Sequence, residues 1–359
     1  MIRKLLLTIC FLVFAATSFA QSGRVKPNEN PTPTPRPSGI VYMPTEKVSI
    51  TPNTNSTPKP TTKNDDENDG EIISVESNLV PIPVSVLDVG GRAVTNLKLE
   101  DFLLSVDGKA ADVSEISRSE SPVRLALLFD NSSSVTIARE FEKRAAIKFF
   151  RRVVRPEKDL ASLFSVSTAS RLEQPLTKDV SQIIAAIERF AQPEGATALL
   201  DGIIKAAEYL KEAPGGRRVI VIVSDGDDTI SDSTFDDTIK SLQINNCQVY
   251  IVKTTDFENY KRTGQRTGNA NLRQLAAERR MQEIARQTGG AVYSPLDEDE
   301  LDRAFNQISG ELAQQYILSY YPENEKDKRG EFRTISLKLK NEQNLTIRTR
   351  KGYYVPRQR

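Results

Sequence analysis

The stretch LALLFDNSSSV, residues 125–135, leaves an apolar run through Asp130, Asn131, Ser132, Ser133 and Ser134. Such a run of polar side chains either caps a helix, as serine and aspartate do, or gathers oxygens at a strand end to hold a cation. Two later residues stand in comparable places. Asp225 ends the apolar run RVIVIVSD, and Thr197, in EGATALLDG, opens a helix from a loop. Asp130, Ser132, Ser134, Thr197 and Asp225 together supply two carboxylates and three hydroxyls. Hard oxygen donors of this kind suit Mg²⁺, Mn²⁺ or Ca²⁺ and not zinc or copper.

A second motif overlaps the first. VIVIVSDGDDT places Asp225, Asp227 and Thr229 at alternate positions after an apolar strand. That matches the nucleophile loop of haloacid-dehalogenase-type phosphatases, where the first aspartate attacks phosphorus and the second is general acid and base. In that family the loop follows the first strand, whereas here three strands precede it and carry their own metal motif. The plain alternative for Asp227 and Asp228 is a solvated turn. The chain has no histidine. That excludes histidine general bases, Ser-His-Asp triads and zinc sites with imidazole ligands. Lys plus Arg number 49 and Asp plus Glu 48, a net +1, which argues against binding nucleic acid or a membrane surface by bulk charge.

The elements that must position these residues alternate along the chain. VRLALLF is a continuous apolar run, as expected of a strand buried on both faces of a parallel sheet. Ile137, Phe141, Ala145, Phe149 and Val153 then lie four apart on one helical stripe. LASLFSVS and SRLEQPLT follow, then a helix through Ile183, Ile184, Ile187 and Phe190, and another from Leu199 to Leu210. RVIVIVSD, a short helix near 234–244, QVYIVKT, a helix over about 271–287 stopped by Gly289-Gly290, AVYSP, and a helix carrying Leu301, Phe305, Ile308 and Leu312 complete the series. Strand–helix alternation of this length predicts a doubly wound, mostly parallel α/β domain. Ligands sit at the carboxyl ends of the strands in such a sheet.

The flanks differ. Residues 1–20, MIRKLLLTICFLVFAATSFA, read as a secretory signal peptide with a positive start, a short apolar stretch and a small-residue exit. After its removal only Cys247 remains, so no internal disulfide is expected. Residues 21–70 are rich in Pro, Thr, Asn and Ser and read as an extended linker. Segments 71–120 and 314–359 read as short strands without helices, each set too few for a stable sheet. The expectation is one small β-sandwich built from both, with the α/β domain, 121–313, inserted between them. Three features read as structural: Tyr316, Tyr320 and Tyr321 as sandwich packing, ERRMQEIARQ as a solvated helix face, and Cys247 as a small core residue.

These residues resemble the von Willebrand factor type A domain. D-x-S-x-S at 130–134 is similar to its metal-ion-dependent adhesion site, and Thr197 and Asp225 match the later threonine and aspartate in order and context. The flanks, VSVLDVGGRAVTNLKLEDFLLSVDGK and the three C-terminal strands, resemble those of exported bacterial proteins related to that domain. The resemblance implies that Ser132 and Ser134 bind the metal through their hydroxyls, Thr197 directly or through water, and Asp130 and Asp225 mostly through water. It also implies the function: an exported, non-enzymatic module, periplasmic or extracellular, that captures an exposed Asp or Glu of a protein partner through Mg²⁺, Mn²⁺ or Ca²⁺. No nucleic-acid partner is expected, and no membrane span once the leader is removed. The alternatives are a phosphatase using Asp225 and Asp227, and a structural envelope protein whose site is vestigial.

Overall fold

The computed structural model describes residues 79–118, 121–136, 138–265, 271–322, 328–341 and 344–356. The signal peptide and linker expected over 1–70, and Ile137 of the helical stripe, lie outside them.

Four strands come first: β1 (Val80–Leu87), β2 (Phe102–Val106), β3 (Lys109–Ala111) and β4 (Glu115–Arg118). The alternating part follows: β5 (Val123–Asp130), α1 (Arg139–Val153), β6 (Leu160–Val166), β7 (Ser170–Thr177), α2 (Val180–Glu188), α3 (Leu199–Lys211) and β8 (Arg217–Ser224). It continues through α4 (Phe235–Ile244), β9 (Cys247–Lys253), α5 (Thr255–Thr263), α6 (Leu272–Thr288), β10 (Val292–Tyr293) and α7 (Glu298–Gln314). Four strands close the chain: β11 (Tyr316–Tyr320), β12 (Phe332–Leu339), β13 (Thr346–Thr349) and β14 (Gly352–Tyr354).

The central sheet has the order β10-β9-β8-β5-β6-β7. All its pairings are parallel except that of β7 with β6. Alternate residues of β5 and β8 divide between two helical layers, as the strand period requires. Leu125, Leu127, Phe129, Val219 and Val221 join a core with residues of α1, α2 and α7. Ala126, Leu128, Ile220 and Ile222 face a core with residues of α3 and α6. From β5 the chain turns to β6 on one side and later returns to β8 on the other. The ends of β5 and β8 therefore flank a topological switch point, where the sheet opens a crevice.

Two four-stranded sheets, β13-β1-β11-β4 and β14-β12-β2-β3, form the second body. Each interleaves strands from both ends of the chain: β1 lies between β11 and β13, and β12 lies against β2. Val80, Ile82, Val84, Phe102, Leu104, Leu318 and Ile335 share one core between them. The fold is the expected one, a doubly wound α/β domain inserted in a discontinuous β-sandwich. Tyr316 and Tyr320 are buried in that core, but Tyr321 is 55% exposed and does not pack the sandwich. Val80 to Tyr320 are the last-paired positions of β1 and β11, so Tyr321 stands just beyond the ladder.

The two bodies are joined where α7 runs into β11. Buried Gln315 accepts from Arg217 Nη1 at 2.7 Å and donates to Ser85 Oγ at 3.1 Å. One turn earlier, buried Glu311 accepts from Tyr250 Oη at 3.2 Å, Tyr293 Oη at 3.0 Å and Arg348 Nη1 at 2.6 Å. Arg348 belongs to β13, so a buried ion pair crosses from sandwich to α/β domain. Removing one partner of such a pair strands the other charge at a cost of about 3–5 kcal/mol.

Arg348→Ala should therefore lower stability by about 3 kcal/mol in urea denaturation. Arg92→Ala, which removes the exposed pair with Asp88, should leave the urea midpoint nearly unchanged. Equal effects would mean that the buried pair does not hold the two bodies together. Ending the chain after 312 removes β11–β14, and limited proteolysis should then digest it up to about residue 118.

Candidate metal site

Asp130 is the last residue of β5 and is buried. Its Oδ1 accepts from the Ser132 N–H at 2.9 Å, a short turn that bends the chain off the strand. Its Oδ2 accepts from Ser224 Oγ at 2.5 Å. Ser224 ends β8, and its Oγ also accepts from the Gly226 N–H at 2.9 Å. One serine thus ties Asp130 to the strand that delivers Asp225.

Ser132 and Ser134 lie with their hydroxyl oxygens 3.0 Å apart, and the Ser134 hydroxyl is close enough to the Asp225 carboxylate to favour its charged form. Ser133–Thr136 form a 3₁₀ turn, and α1 begins only at Arg139 with no side-chain cap at Ala138. The serines are not the cap of α1, and Ser134 does not serve both roles. The hydroxyls that a cap would have used face the carboxylates instead.

Thr197 reaches the site through its backbone. The loop before α3 is stitched to the first loop by Ser133 N–H to Gly195 O, 3.2 Å, and by Glu194 N–H to Asn131 O, 3.0 Å. It is stitched to the third loop by Thr229 N–H to Thr197 O, 2.8 Å, and by the Thr197 N–H to Thr229 Oγ1, 2.9 Å. Thr197 is buried between the two loops. Asp130 holds the Ser132 backbone, Ser132 and Ser134 meet through their hydroxyls, Asp225 lies within electrostatic reach of Asp130, and Thr197 is held beside them by this lacing.

The other two acids of the third loop are engaged. Asp228 Oδ1 accepts from the Leu199 and Leu200 N–H groups, at 2.8 and 3.1 Å, and caps α3. Asp227 Oδ2 pairs with Arg273 Nε at 2.6 Å, anchoring the loop to α6. They are not a free solvated turn. Gly226 takes φ +81, and a Cβ there would stand 1.5 Å from Met281 Cε. The left-handed backbone at this turn favours glycine, and a side chain there would also push the Met281 side chain aside.

The electrostatics are one-sided. Burial, then the charge of Asp225, raises the Asp130 carboxyl above its usual range. Burial also raises Asp225. Two more acids lie within electrostatic reach. Glu142 on α1 is fully buried, with the Thr254 hydroxyl near its carboxyl, and neither oxygen makes a well-formed hydrogen bond among the described residues. Burial and then Asp130 hold its carboxyl well above the ordinary value. Glu258 on α5 is pushed up to about 8 by burial, then by Asp225 and Asp130. Against these, Arg139 is buried with its guanidinium over Phe129 and Phe190, at 5.1 and 5.2 Å, and donates to Ala191 O. Neither Glu142 nor Glu258 was legible as part of the site, and α5 itself went unread. The only sequence signal for Glu142 was its place four residues before Ala146, on a helix face wider than the predicted stripe.

Two carboxylates raised by burial, with the Ser132 and Ser134 hydroxyls beside them and Thr197 in the adjoining loop, fit a hard divalent cation, which neutralises what the protein leaves unbalanced. When bound, such an ion supplies an electrophilic centre for a further oxygen ligand. The side chains that would hold it are Ser132, Ser134 and Thr197, with Asp130 and Asp225 behind them.

The Glu258 shift sets a pH dependence in the metal-free protein. Its carboxyl titrates near 4.5 when unfolded and near 8 when folded. The folded state then holds a proton that the unfolded chain has lost. Stability is greatest below about 4.5, falls as pH rises through this window and stays low above about 8. Glu258→Gln should match the wild type at pH 4.5 in chelator and exceed it by about 1–3 kcal/mol at pH 8.5. Parallel curves for the two proteins would show that Glu258 is ionised in the fold.

Residues 125–227 match the family of the von Willebrand factor type A domain. No curated protein matches the chain. Among solved structures, it is similar to the conserved hypothetical protein BatB from Bacteroides thetaiotaomicron, at 17% identity over 53% of this chain and 98% of that one, TM-score 0.42. A von Willebrand factor type A protein from Catenulispora acidiphila is similar at 11% identity over 76% of this chain and 72% of that one, TM-score 0.45. Proximal thread matrix protein 1 from the mussel byssus, described with a zinc-occupied MIDAS motif, is similar at 14% identity over 56% and 47%, TM-score 0.43. The family match spans all five candidate residues, from Asp130 to Asp225, within a doubly wound sheet, and the chain accordingly carries a von Willebrand factor type A domain.

Proposed function

We propose that this protein binds a protein partner through a divalent cation held at Asp130, Ser132, Ser134, Thr197 and Asp225. Domains of this type often serve metal-dependent protein interaction. The observation that carries the reading is the buried Asp130 carboxylate with half-buried Asp225 beside it, next to serine hydroxyls at the switch point of the sheet. An ion held largely by neutral hydroxyls keeps most of its positive charge and has room for one more oxygen. A carboxylate from a partner's exposed Asp or Glu is the natural sixth ligand. Mg²⁺ is the first choice, with Mn²⁺ or Ca²⁺ as substitutes. Asp227 and Asp228 do not compete for the ion, because Arg273 and the α3 amides hold them. Ile230, Leu272 and Leu275 are exposed on the third loop and at the start of α6, and offer apolar contact beside the ion.

The leader-like pattern of residues 1–20 supports binding outside the cytoplasm, in the envelope or beyond it. Among the described residues no helix is long and apolar enough to cross a membrane. An enzymatic role is not part of the proposal: Asp227, the general acid of the phosphatase alternative, is committed to Arg273.

Calorimetry should detect Mg²⁺ binding to the wild type, and Asp130→Ala should weaken it by about 100-fold or more without unfolding the chain. Unchanged binding in that variant rejects the site. A pull-down from an envelope extract should retain a partner in Mg²⁺ and lose it in chelator. Thr197→Ala should weaken partner capture more than metal binding. Capture that survives chelation places the contact elsewhere, and Mg²⁺-dependent phosphatase activity lost in Asp225→Ala establishes the enzyme instead.

A further inference from the structure

At the amino ends of the central strands, across the sheet from Asp130, a cavity of about 720 Å³ opens between sandwich and α/β domain. Arg217 and Arg218 begin β8 on its wall, Cys247 and Gln248 begin β9, and Arg350 follows β13. Pro81 and Pro83 of β1 border it where β1 is paired on one side only, by β11. Proline suits such a stretch because it needs no ladder partner for an N–H.

No Asp or Glu lines this cavity among the described residues, although the chain has 48 of them. Its three guanidiniums are held by neutral acceptors. Arg217 donates to Gln315 Oε1 and to Leu312 O, at 2.7 and 2.6 Å. Arg218 donates to Leu210 O and Asn245 O, both at 3.0 Å. Arg350 donates to Pro81 O at 2.9 Å and to Asn246 Oδ1. The Nε atoms of Arg217 and Arg350 are buried without a hydrogen-bond partner among the described residues. By contrast Arg348, two residues before Arg350, has a buried carboxylate in Glu311. Arg218 and Arg350 reach adjacent residues of the α4–β9 turn, so two cationic forks converge there with no counter-charge. Beside them Leu242, Ile317 and Tyr353 form an apolar wall.

We infer that this cavity binds an anionic amphiphile, with a carboxylate or phosphate head between Arg218 and Arg350 and an apolar chain along Leu242, Ile317 and Tyr353. Arginine forks match both heads in two-pronged geometry. The volume lies in the range of small-molecule sites, about 300–1,000 Å³. The cavity lies at the opposite end of the sheet from the candidate cation site.

The test is calorimetry on the full chain with laurate, dodecyl phosphate, dodecanol and inorganic phosphate, each amphiphile below its micelle threshold. Laurate or dodecyl phosphate should bind one to one, at least about 10-fold tighter than dodecanol or inorganic phosphate. Which of the two binds tighter tells a fatty-acid head from a phosphate head. Asn246 takes φ +51, which aspartate tolerates. Asn246→Asp places a carboxylate on Arg350 and should weaken binding at least 10-fold without lowering the melting temperature or Mg²⁺ affinity. Arg218→Gln should weaken it likewise, and serves if Asn246→Asp misfolds. Equal binding of dodecanol, equal binding of inorganic phosphate, failure of both anionic amphiphiles, or indifference to both substitutions would overturn the proposal.

Discussion

The burial of Asp130 at the end of the central strand is the constraint around which the rest of the α/β domain is arranged. A carboxylate leaves water only if hydrogen bonds and opposite charge repay its hydration. Here the repayment from the protein is partial. Ser132 and Ser224 donate to Asp130, but Asp225, Glu142 and Glu258 add negative charge on the same side. The three loops laced around it hold hydroxyls where a cation would complete the balance. The same imbalance explains why Asp227 and Asp228 are tied away from the centre: two more free carboxylates would raise the cost of the metal-free fold.

The sheet makes this placement possible. The switch between β5 and β8 leaves their carboxyl ends side by side without a crossing connection above them. Gly226 allows the third loop to press against Met281 of α6, and the Asp227–Arg273 pair fastens it there. On the far side, Gln315 and the Glu311–Arg348 pair fix the sandwich, through β1 and β13, to the end of α7 and the start of β8. Site and interface thus rest on opposite ends of one rigid sheet.

Much of this was legible in the residue pattern. Continuous apolar runs such as VRLALLF and RVIVIVS marked strands covered on both faces, and the α1, α3 and α7 stripes marked their helices. The discontinuous sandwich followed from two sets of strands that were each too few. What escaped had a physical reason. α5, TDFENYKRT, carries a single buried aromatic, Phe257, so its period was invisible, and it is held by its dock on Phe141, 3.8 Å away ring to ring. Glu142 reads as a surface acid, because burying an unpaired carboxylate is the rare outcome. Tyr321 reads as packing because it adjoins Tyr320, yet β11 ends at Tyr320 and Tyr321 lies past the paired strand. The arginine-lined cavity is assembled from β1, β8, β9 and the stretch after β13, and no local motif announces it.

The most direct test is Mg²⁺ titration at pH 6 in two buffers of different ionisation enthalpy. The raised Asp130 and Asp225 carboxyls must lose protons when the cation arrives, so binding should release protons at pH 6 and progressively fewer towards pH 9. Binding without proton release at pH 6, or no binding at any pH, would contradict a cation site built on these buried carboxylates.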